Sequence, residues 1–286
     1  MREFTDPDVD VRVDLAALVE EVSRCLADLG RGAAVQAPKQ LLPLDAGGFF
    51  LSLAGVVPRL GLGVAKWASY VPGTAGEPGR STSTIIGSDA TTGAPLATVT
   101  GMRATQVRTA AAAVAVARAV RADRPPRRIA LVGFGPTNRA VLDAVLAVAG
   151  TVTEVRVVVR TEHSAATARR VAGARGLDVL SVGTDPAAVA GVDLAFSATG
   201  ATGPVATLED LAPDGVAVCL DGAGTWRRGP STPVLDDHMA HGHVPAVPRL
   251  LAGVEPVPDG RVLLDLAGSA VTDVALVAQL LRRVGR

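Results

Sequence analysis

Lys39 and Lys66 are the only lysines among 28 basic side chains; every other one is an arginine. A chain that uses arginine wherever a plain positive charge serves keeps an ammonium where a compact, proton-exchanging cation is needed. The bland alternative is two solvated surface charges. Arg108 offers something different, a planar fork able to grip a carboxylate through two bonds. A partly buried lysine beside another cation has its pKa driven toward neutrality, which suits Lys66 to proton exchange. The alternative for Arg108 is a helix-start residue paired with a nearby acid. Asp221, closing an apolar run, is a carboxylate that can pass a proton or simply cap the loop that follows.

A second set of residues concerns nucleotide binding. Arg128-Ile-Ala-Leu-Val-Gly133-Phe-Gly135-Pro136-Thr137-Asn138 reads as a buried strand, a glycine turn and a helix start. Glycines there let the backbone approach a pyrophosphate, and the free N–H groups of the helix start bind it. Asn138 stands where the usual fingerprint has its third glycine. The next strand ends in Arg160-Thr161-Glu162. An acid at that tip meets ribose hydroxyls, whereas an arginine meets a 2′-phosphate. Arg160 therefore favours NADP(H), and Glu162 leaves NAD(H) open. The small residues Ser197-Ala198-Thr199 would let a cofactor lie across the strand ends, with Asp221 and Gly222 closing the following strand. The structural alternative is an α/β domain that merely needs tight turns.

These residues require particular elements to hold them. Apolar spacing predicts a helix over 13–30 with Gly30 as its C-terminal cap. Extended segments follow at Leu41-Leu42, Phe49–Leu53 and Leu60–Ser69, and 71–81 reads as a Gly/Pro loop. Ser83–Ser88 and Leu96–Thr100 bracket the turn Asp89–Gly93 as a hairpin. An Ala-rich helix over about 104–122 is stopped by Asp123 and Pro125-Pro126, the best domain boundary. Beyond it strands (128–133, 154–159, 178–182, 193–198, 215–220) alternate with helices (136–149, 164–174), which implies a parallel sheet with crossover helices. An extended run Arg261–Asp265 precedes a last amphipathic helix over 271–285. The expected fold is α/β: a Rossmann-type dinucleotide-binding domain at 124–264, and an α+β substrate and dimerisation domain at 1–123 completed by 265–286.

Composition narrows the function. The 28 basic and 28 acidic residues cancel, so nothing points to nucleic acid or an anionic membrane surface. No apolar run reaches a membrane span, and the acidic start MREFTDPDVD lacks the pattern of a signal peptide. Cys25 and Cys219 fit no metal or disulfide spacing, and a reducing cytoplasm is the simplest setting. Asp236-Asp237-His238-Met239-Ala240-His241-Gly242-His243 holds three of the four histidines. It puts no two of them at i and i+4, and reads as a polar surface segment with no metal assigned.

Several stretches together resemble the ornithine cyclodeaminase/mu-crystallin family. Asp89-Ala-Thr-Thr-Gly-Ala-Pro-Leu-Ala97 and Val107-Arg108-Thr109-Ala-Ala-Ala112 resemble its D-x-x-T-G-x-P-x-A and L-R-T-x-A signatures. Gly63-Val-Ala-Lys66 resembles its G-x-K strand, Gly133-Phe-Gly135 its G-x-G turn, and Gly268-Ser-Ala-Val-Thr-Asp273 its closing G-x-x-x-x-D. The resemblance implies that Lys66 and Arg108, with Lys39 nearby, hold a substrate carboxylate beside the nicotinamide. It places Thr109 after the signature arginine, and Pro136 and Thr137 over the pyrophosphate. It also implies a homodimer joined through the substrate domains. The departures bear on the reaction. The family's proton-transfer Asp is Gly224 here, with Asp221 the nearest carboxylate. Arg228 replaces a Lys, Pro230 a Glu and Leu266 a Ser, and Arg80 or Ser81 stands for a Thr. The leading expectation is an NAD(P)H-dependent imine reductase or amino-acid dehydrogenase acting on a small α-imino or α-amino acid. The alternatives are a cyclodeaminase-like lyase that recycles its NAD, and a protein that only binds NADP(H) and small ligands.

Overall fold

The computed structural model describes residues 1–45, 47–73, 79–121, 124–176, 178–183, 185–201, 203–240 and 243–282. They form two compact units: Met1–Arg108 with His238–Glu255 and Gly268–Arg286, and Thr109–Asp237 with Pro256–Ala267.

Among the described residues the first unit is built on a seven-stranded sheet. Its strands are β1 (Arg2–Phe4), β2 (Val35–Gln36), β3 (Gln40–Pro43), β4 (Phe49–Val57), β5 (Leu62–Val71), β6 (Arg80–Asp89) and β7 (Pro95–Thr100). Their order is β1-β7-β6-β5-β4-β2, with β3 also on β4, and only the β1–β7 pair is parallel. Along β5 the side chains alternate: Leu62, Val64, Lys66 and Ala68 are buried, while Ala65 and Trp67 are exposed. Period-two alternation of this kind marks a sheet covered on one face. The cover is helix Ala270–Arg282, which packs on β4 and β5 and in turn against helix Leu15–Gly30. A lysine on the inward face of such a strand is out of place unless something charged meets it there.

The Asp89–Gly93 hairpin forms because Asp89 Oδ1 accepts from the backbone N–H groups of Thr91 (3.0 Å) and Thr92 (2.8 Å), and Gly93 supplies φ +73°. The β5–β6 ladder runs out to Val71 opposite Arg80, so Arg80 and Ser81 belong to a strand and not to the expected loop. Cross-strand pairing overrides the local Gly/Pro composition there; the loop's residues 74–78 lie outside the described residues. Gly30 is not the cap expected of it. It is the last residue of helix Leu15–Gly30, where an added Cβ would stand 2.1 Å from the carbonyl oxygen of Pro248. Glycine is needed for the close approach of helix Ala246–Leu251. That contact carries His238–Glu255 into the first unit, whereas the sequence reading kept 124–264 together.

In the second unit the strands are β8 (Arg128–Val132), β9 (Glu154–Val158), β10 (Asp178–Gly183), β11 (Leu194–Ser197), β12 (Ala206–Thr207), β13 (Val216–Cys219), β14 (Trp226–Arg227), β15 (Val234–Asp236) and β16 (Val262–Asp265). Seven of them make a sheet in the order β10-β9-β8-β11-β13-β16-β15, every pair parallel. Helices Pro136–Val148 and Glu162–Gly173 make the first two crossovers. This is a Rossmann-type, doubly wound α/β fold, and the order reverses between β8 and β11, where such folds bind ligands. Ile129, Ala130, Leu131 and Val132 are all buried, as expected of a parallel strand covered on both faces. The extended run expected at Arg261–Asp265 forms β16, inside this sheet between β13 and β15. The Ala-rich helix spans Arg103–Arg121 and the last helix Ala270–Arg282. The expected stop at Asp123 and the tail from 283 lie outside the described residues. Among the described residues no helix is long and apolar enough to cross a membrane.

Candidate functional site

In the first unit three charged side chains meet in a buried cluster. Lys66 comes from β5, Arg108 from helix Arg103–Arg121, and Asp273 from the first turn of helix Ala270–Arg282. Asp273 Oδ1 lies 3.5 Å from Lys66 Nζ and 3.1 Å from Arg108 Nε, and all three side chains are almost wholly buried. The Arg108 contact is a charge pair and not an aligned hydrogen bond, since Nε has no hydrogen-bond partner among the described residues. Arg108 also donates from Nη1 to Thr272 Oγ1 at 3.5 Å. The pKa of Lys66 is lowered to about 8, first by burial and then by the Arg108 charge, with Asp273 opposing and Lys39 adding a smaller push. Lys39 itself is exposed, between β2 and β3. The structure thus brings Lys66 and Arg108 together, with Lys39 near enough to act on their charge. It adds Asp273, which the sequence offers only as the last residue of the closing G-x-x-x-x-D stretch. The signal for it was present: an acid in the first turn of a helix with few other polar residues.

In the second unit the β8 turn requires a glycine at its first position. Gly133 has φ +84°, and a Cβ there would come within 2.4 Å of the carbonyl oxygen of Ala198. Gly135 has open space where a Cβ would point, directly before helix Pro136–Val148. A cavity of about 650 Å³ lies beside this turn, lined among others by Gly133, Gly135, Arg160, Thr161, Ala198 and Thr199. Arg139, Ser164 and Arg227 line it too and went unread in the sequence. Arg139 follows Gly135 by one helical turn, and Ser164 lies one turn into the helix that Thr161 caps, accepting from Ser164 N at 3.2 Å. Three arginines, a bare glycine backbone and a helix start fit a ligand with several phosphate charges. Glu162 is turned to Arg169, 2.7 Å away.

Three residues expected to touch a cofactor have structural work to do. Asn138 is fully buried, and its Nδ2 donates to the carbonyl oxygens of Val132 (2.9 Å), Gly133 (2.7 Å) and Phe196 (3.4 Å). It replaces the third glycine by tying β8 to β11 from beneath. Ser197 is also fully buried; its Oγ accepts from Trp226 Nε1 at 3.2 Å and donates to Asp221 Oδ1 at 3.4 Å. Asp221 accepts at Oδ2 from Thr199 N (2.5 Å), Thr199 Oγ1 (2.8 Å) and Gly200 N (3.0 Å), and at Oδ1 from Thr225 Oγ1 (3.1 Å). That carboxylate fastens two strand-exit loops, with both oxygens accepting hydrogen bonds. Gly222 turns the chain immediately after it with φ +101°. Pro136 and Thr137 form the first turn of their helix, and Thr109 is half-buried directly after Arg108. In the histidine segment Asp237 is buried and accepts from Ala267 N at 2.6 Å, while His241 and Gly242 lie outside the described residues.

The model of the ornithine cyclodeaminase/mu-crystallin family matches residues 5–237 of this chain. The chain belongs to that family. This ornithine cyclodeaminase/mu-crystallin family member is 32% identical over 136 residues to Delta(1)-pyrroline-2-carboxylate reductase 1 of Burkholderia multivorans, a match covering 46% of this chain and 42% of that protein's length. Among solved structures it is similar to the Thermococcus litoralis Delta(1)-pyrroline-2-carboxylate reductase in complex with NADH and L-proline. The TM-score is 0.85 at 20% identity, over 99% of this chain and 97% of that one. It is similar also to an archaeal alanine dehydrogenase dimer with bound NAD, with a TM-score of 0.85 at 18% identity over 99% and 96% of the two chains. At these identities the structural likeness of the family member speaks for the shared fold.

Proposed function

We propose that this chain is an NADP(H)-dependent reductase of small α-imino acids, and in reverse an amino-acid dehydrogenase. The observation that carries it is the burial of two cations, Lys66 and Arg108, around one carboxylate. Such a cluster has a positive charge to spare and a fork to present, as a carboxylate anchor must. The relatives named above, two reductases of a cyclic imino acid and a dehydrogenase of an amino acid, support the same chemistry.

When bound, the dinucleotide supplies the hydride. The chain's own residues do the rest. Arg108 holds the substrate carboxylate in a fixed orientation, which turns a chance encounter into an aligned one. Lys66, with its pKa near 8, is protonated at neutral pH and can pass that proton to the imine nitrogen as the carbon is reduced. Gly133, Gly135 and the helix start would hold the pyrophosphate, and Arg160, Thr161 and Ser164 would hold a 2′-phosphate. Glu162, at the start of the following helix, pairs on the surface with Arg169, and we read Arg160 as the stronger determinant. A lyase reading has less to draw on: Gly224 has no side chain to transfer a proton, and the Asp221 oxygens are occupied.

The sheet face opposite helix Ala270–Arg282 exposes Val56, Trp67 and Ile86, with Phe50 stacked on Trp67 at a centroid distance of 5.3 Å. We assign it to a second copy of the chain, a homodimer like that of the similar alanine dehydrogenase. Cys25 and Cys219 are both buried free thiols, in keeping with a cytoplasmic setting.

The test is a panel of cyclic imino acids, and of 2-oxo acids with amines, with NADPH and NADH and a parallel ammonia assay. Stoichiometric loss of reduced nucleotide is the expected result. Ammonia release from ornithine-like substrates with no net redox change would instead establish the lyase, and saturable cofactor binding with neither would establish a binding protein.

A further inference from the structure

The segment Gly268–Asp273 is shaped around Arg108. Gly268 leaves its backbone bare beside the guanidinium, Thr272 accepts from Nη1, and Asp273 supplies the counter-charge. Asp273 also reaches Lys66. Its other oxygen is buried with no hydrogen-bond partner among the described residues, so the carboxylate is not held there by a neutral network. A buried carboxylate so placed is kept by the cations beside it and by the helix N-terminus.

We infer that Asp273 is the positioning residue of the anchor: one buried carboxylate holds Arg108 and Lys66 side by side and reduces the trio to a single net positive charge, the complement of one substrate carboxylate. This rests on the reading of Lys66 and Arg108 as the anchor. The charged groups facing Lys66 are Arg108 from its helix, Asp273 from the C-terminal helix and Lys39 from the segment before β3. Its partners across the sheet, Leu53 and Ile85, carry no charge. Without Asp273, the charges left facing Lys66 among the described residues, Arg108 and Lys39, are both cations. Lys66 then surrenders its proton at lower pH, and the anchor loses a positive charge when substrate arrives. With Asp273, Lys66 stays protonated through neutrality. Arrival of a carboxylate strengthens its hold on the proton further, so binding and protonation support each other.

Two lysines in the whole chain make this measurable. Lysine-selective 13C labelling gives one signal for Lys39 and one for Lys66, assigned with Lys39→Arg. The Lys66 signal is titrated in the wild type, Asp273→Asn, Asp273→Glu and Arg108→Met. The expected midpoint falls by about one pH unit or more in Asp273→Asn, returns toward the wild type in Asp273→Glu and rises in Arg108→Met. An unchanged midpoint in folded Asp273→Asn overturns the inference. If Asp273→Asn does not fold, Arg108→Met/Asp273→Asn removes a cation with the anion. Recovery of folding then shows that the carboxylate serves the charges, and failure of both shows a purely structural role. The titration needs no turnover. Midpoints that move in a protein without reductase activity would sink the proposed reaction and leave Asp273's role intact; turnover with immobile midpoints would do the opposite.

Discussion

Gly268 stands at φ +97° against Arg108, where a Cβ would lie 3.0 Å from Nη1. Backbone conformation and guanidinium position are therefore linked. A side chain at 268 strains the turn and displaces the fork. Gly268→Ala should cost about 1–2 kcal/mol of stability for the left-handed backbone. It should also raise the KM for the carboxylate substrate about tenfold by moving the fork off its alignment. Thermal unfolding and steady-state kinetics check the two effects separately.

Lys66 links pH to stability with a definite sign. Its pKa falls from the ordinary 10.5 to about 8 on folding, chiefly through burial and then through Arg108. Between those values the unfolded chain binds more protons than the folded one. The Lys66 contribution is thus fully favourable above 10.5 and is lost as pH falls through about 8. Lys66→Met removes this dependence. Its stability relative to the wild type should decline by on the order of 3 kcal/mol from about pH 7 to about pH 10.5, measured by denaturant unfolding at each pH.

Much of this was legible in the sequence. The glycine turn at 133–135, the hairpin at Asp89–Gly93 and the alternation of strands and helices after Pro126 all rest on local chemistry, which a sequence displays directly. Lys66 was conspicuous because so few lysines exist. What stayed hidden depends on contacts distant in sequence. Gly30 reads as a helix cap until Pro248 is seen against it. Asn138 and Ser197 read as cofactor contacts because of where they fall in a motif, yet their side chains turn inward. Asp273 reads only as the end of a motif because its partners, Lys66 and Arg108, are far away along the chain.

Asp221 separates a fastener from a catalyst. Its oxygens accept from Thr199, Gly200, Ser197 and Thr225, so an amide in its place sets donor against donor. Asp221→Asn should be nearly as damaging as Asp221→Ala, costing about 1–3 kcal/mol and weakening dinucleotide binding about tenfold. The pH profile of kcat should keep its shape. Loss of an acid limb in Asp221→Asn would restore the catalytic role.

Arg160 is the residue we propose selects NADP(H) over NAD(H). Arg160→Ser should lower kcat/KM for NADPH about 10–100-fold, the worth of a charge-assisted phosphate contact, and leave NADH nearly unchanged. Equal losses with both cofactors would place the 2′-phosphate elsewhere.

The most direct measurement follows the hydrogen itself. The enzyme is given nicotinamide-deuterated NADPH and a cyclic α-imino acid, and the amino-acid product is examined by mass spectrometry and NMR. A hydride-transferring imine reductase places one deuterium on the α-carbon, in stoichiometry with the NADPH consumed, and Lys66→Ala and Arg108→Ala abolish the transfer. Product free of deuterium, or ammonia formed while the label stays on the nucleotide, would contradict the reductase.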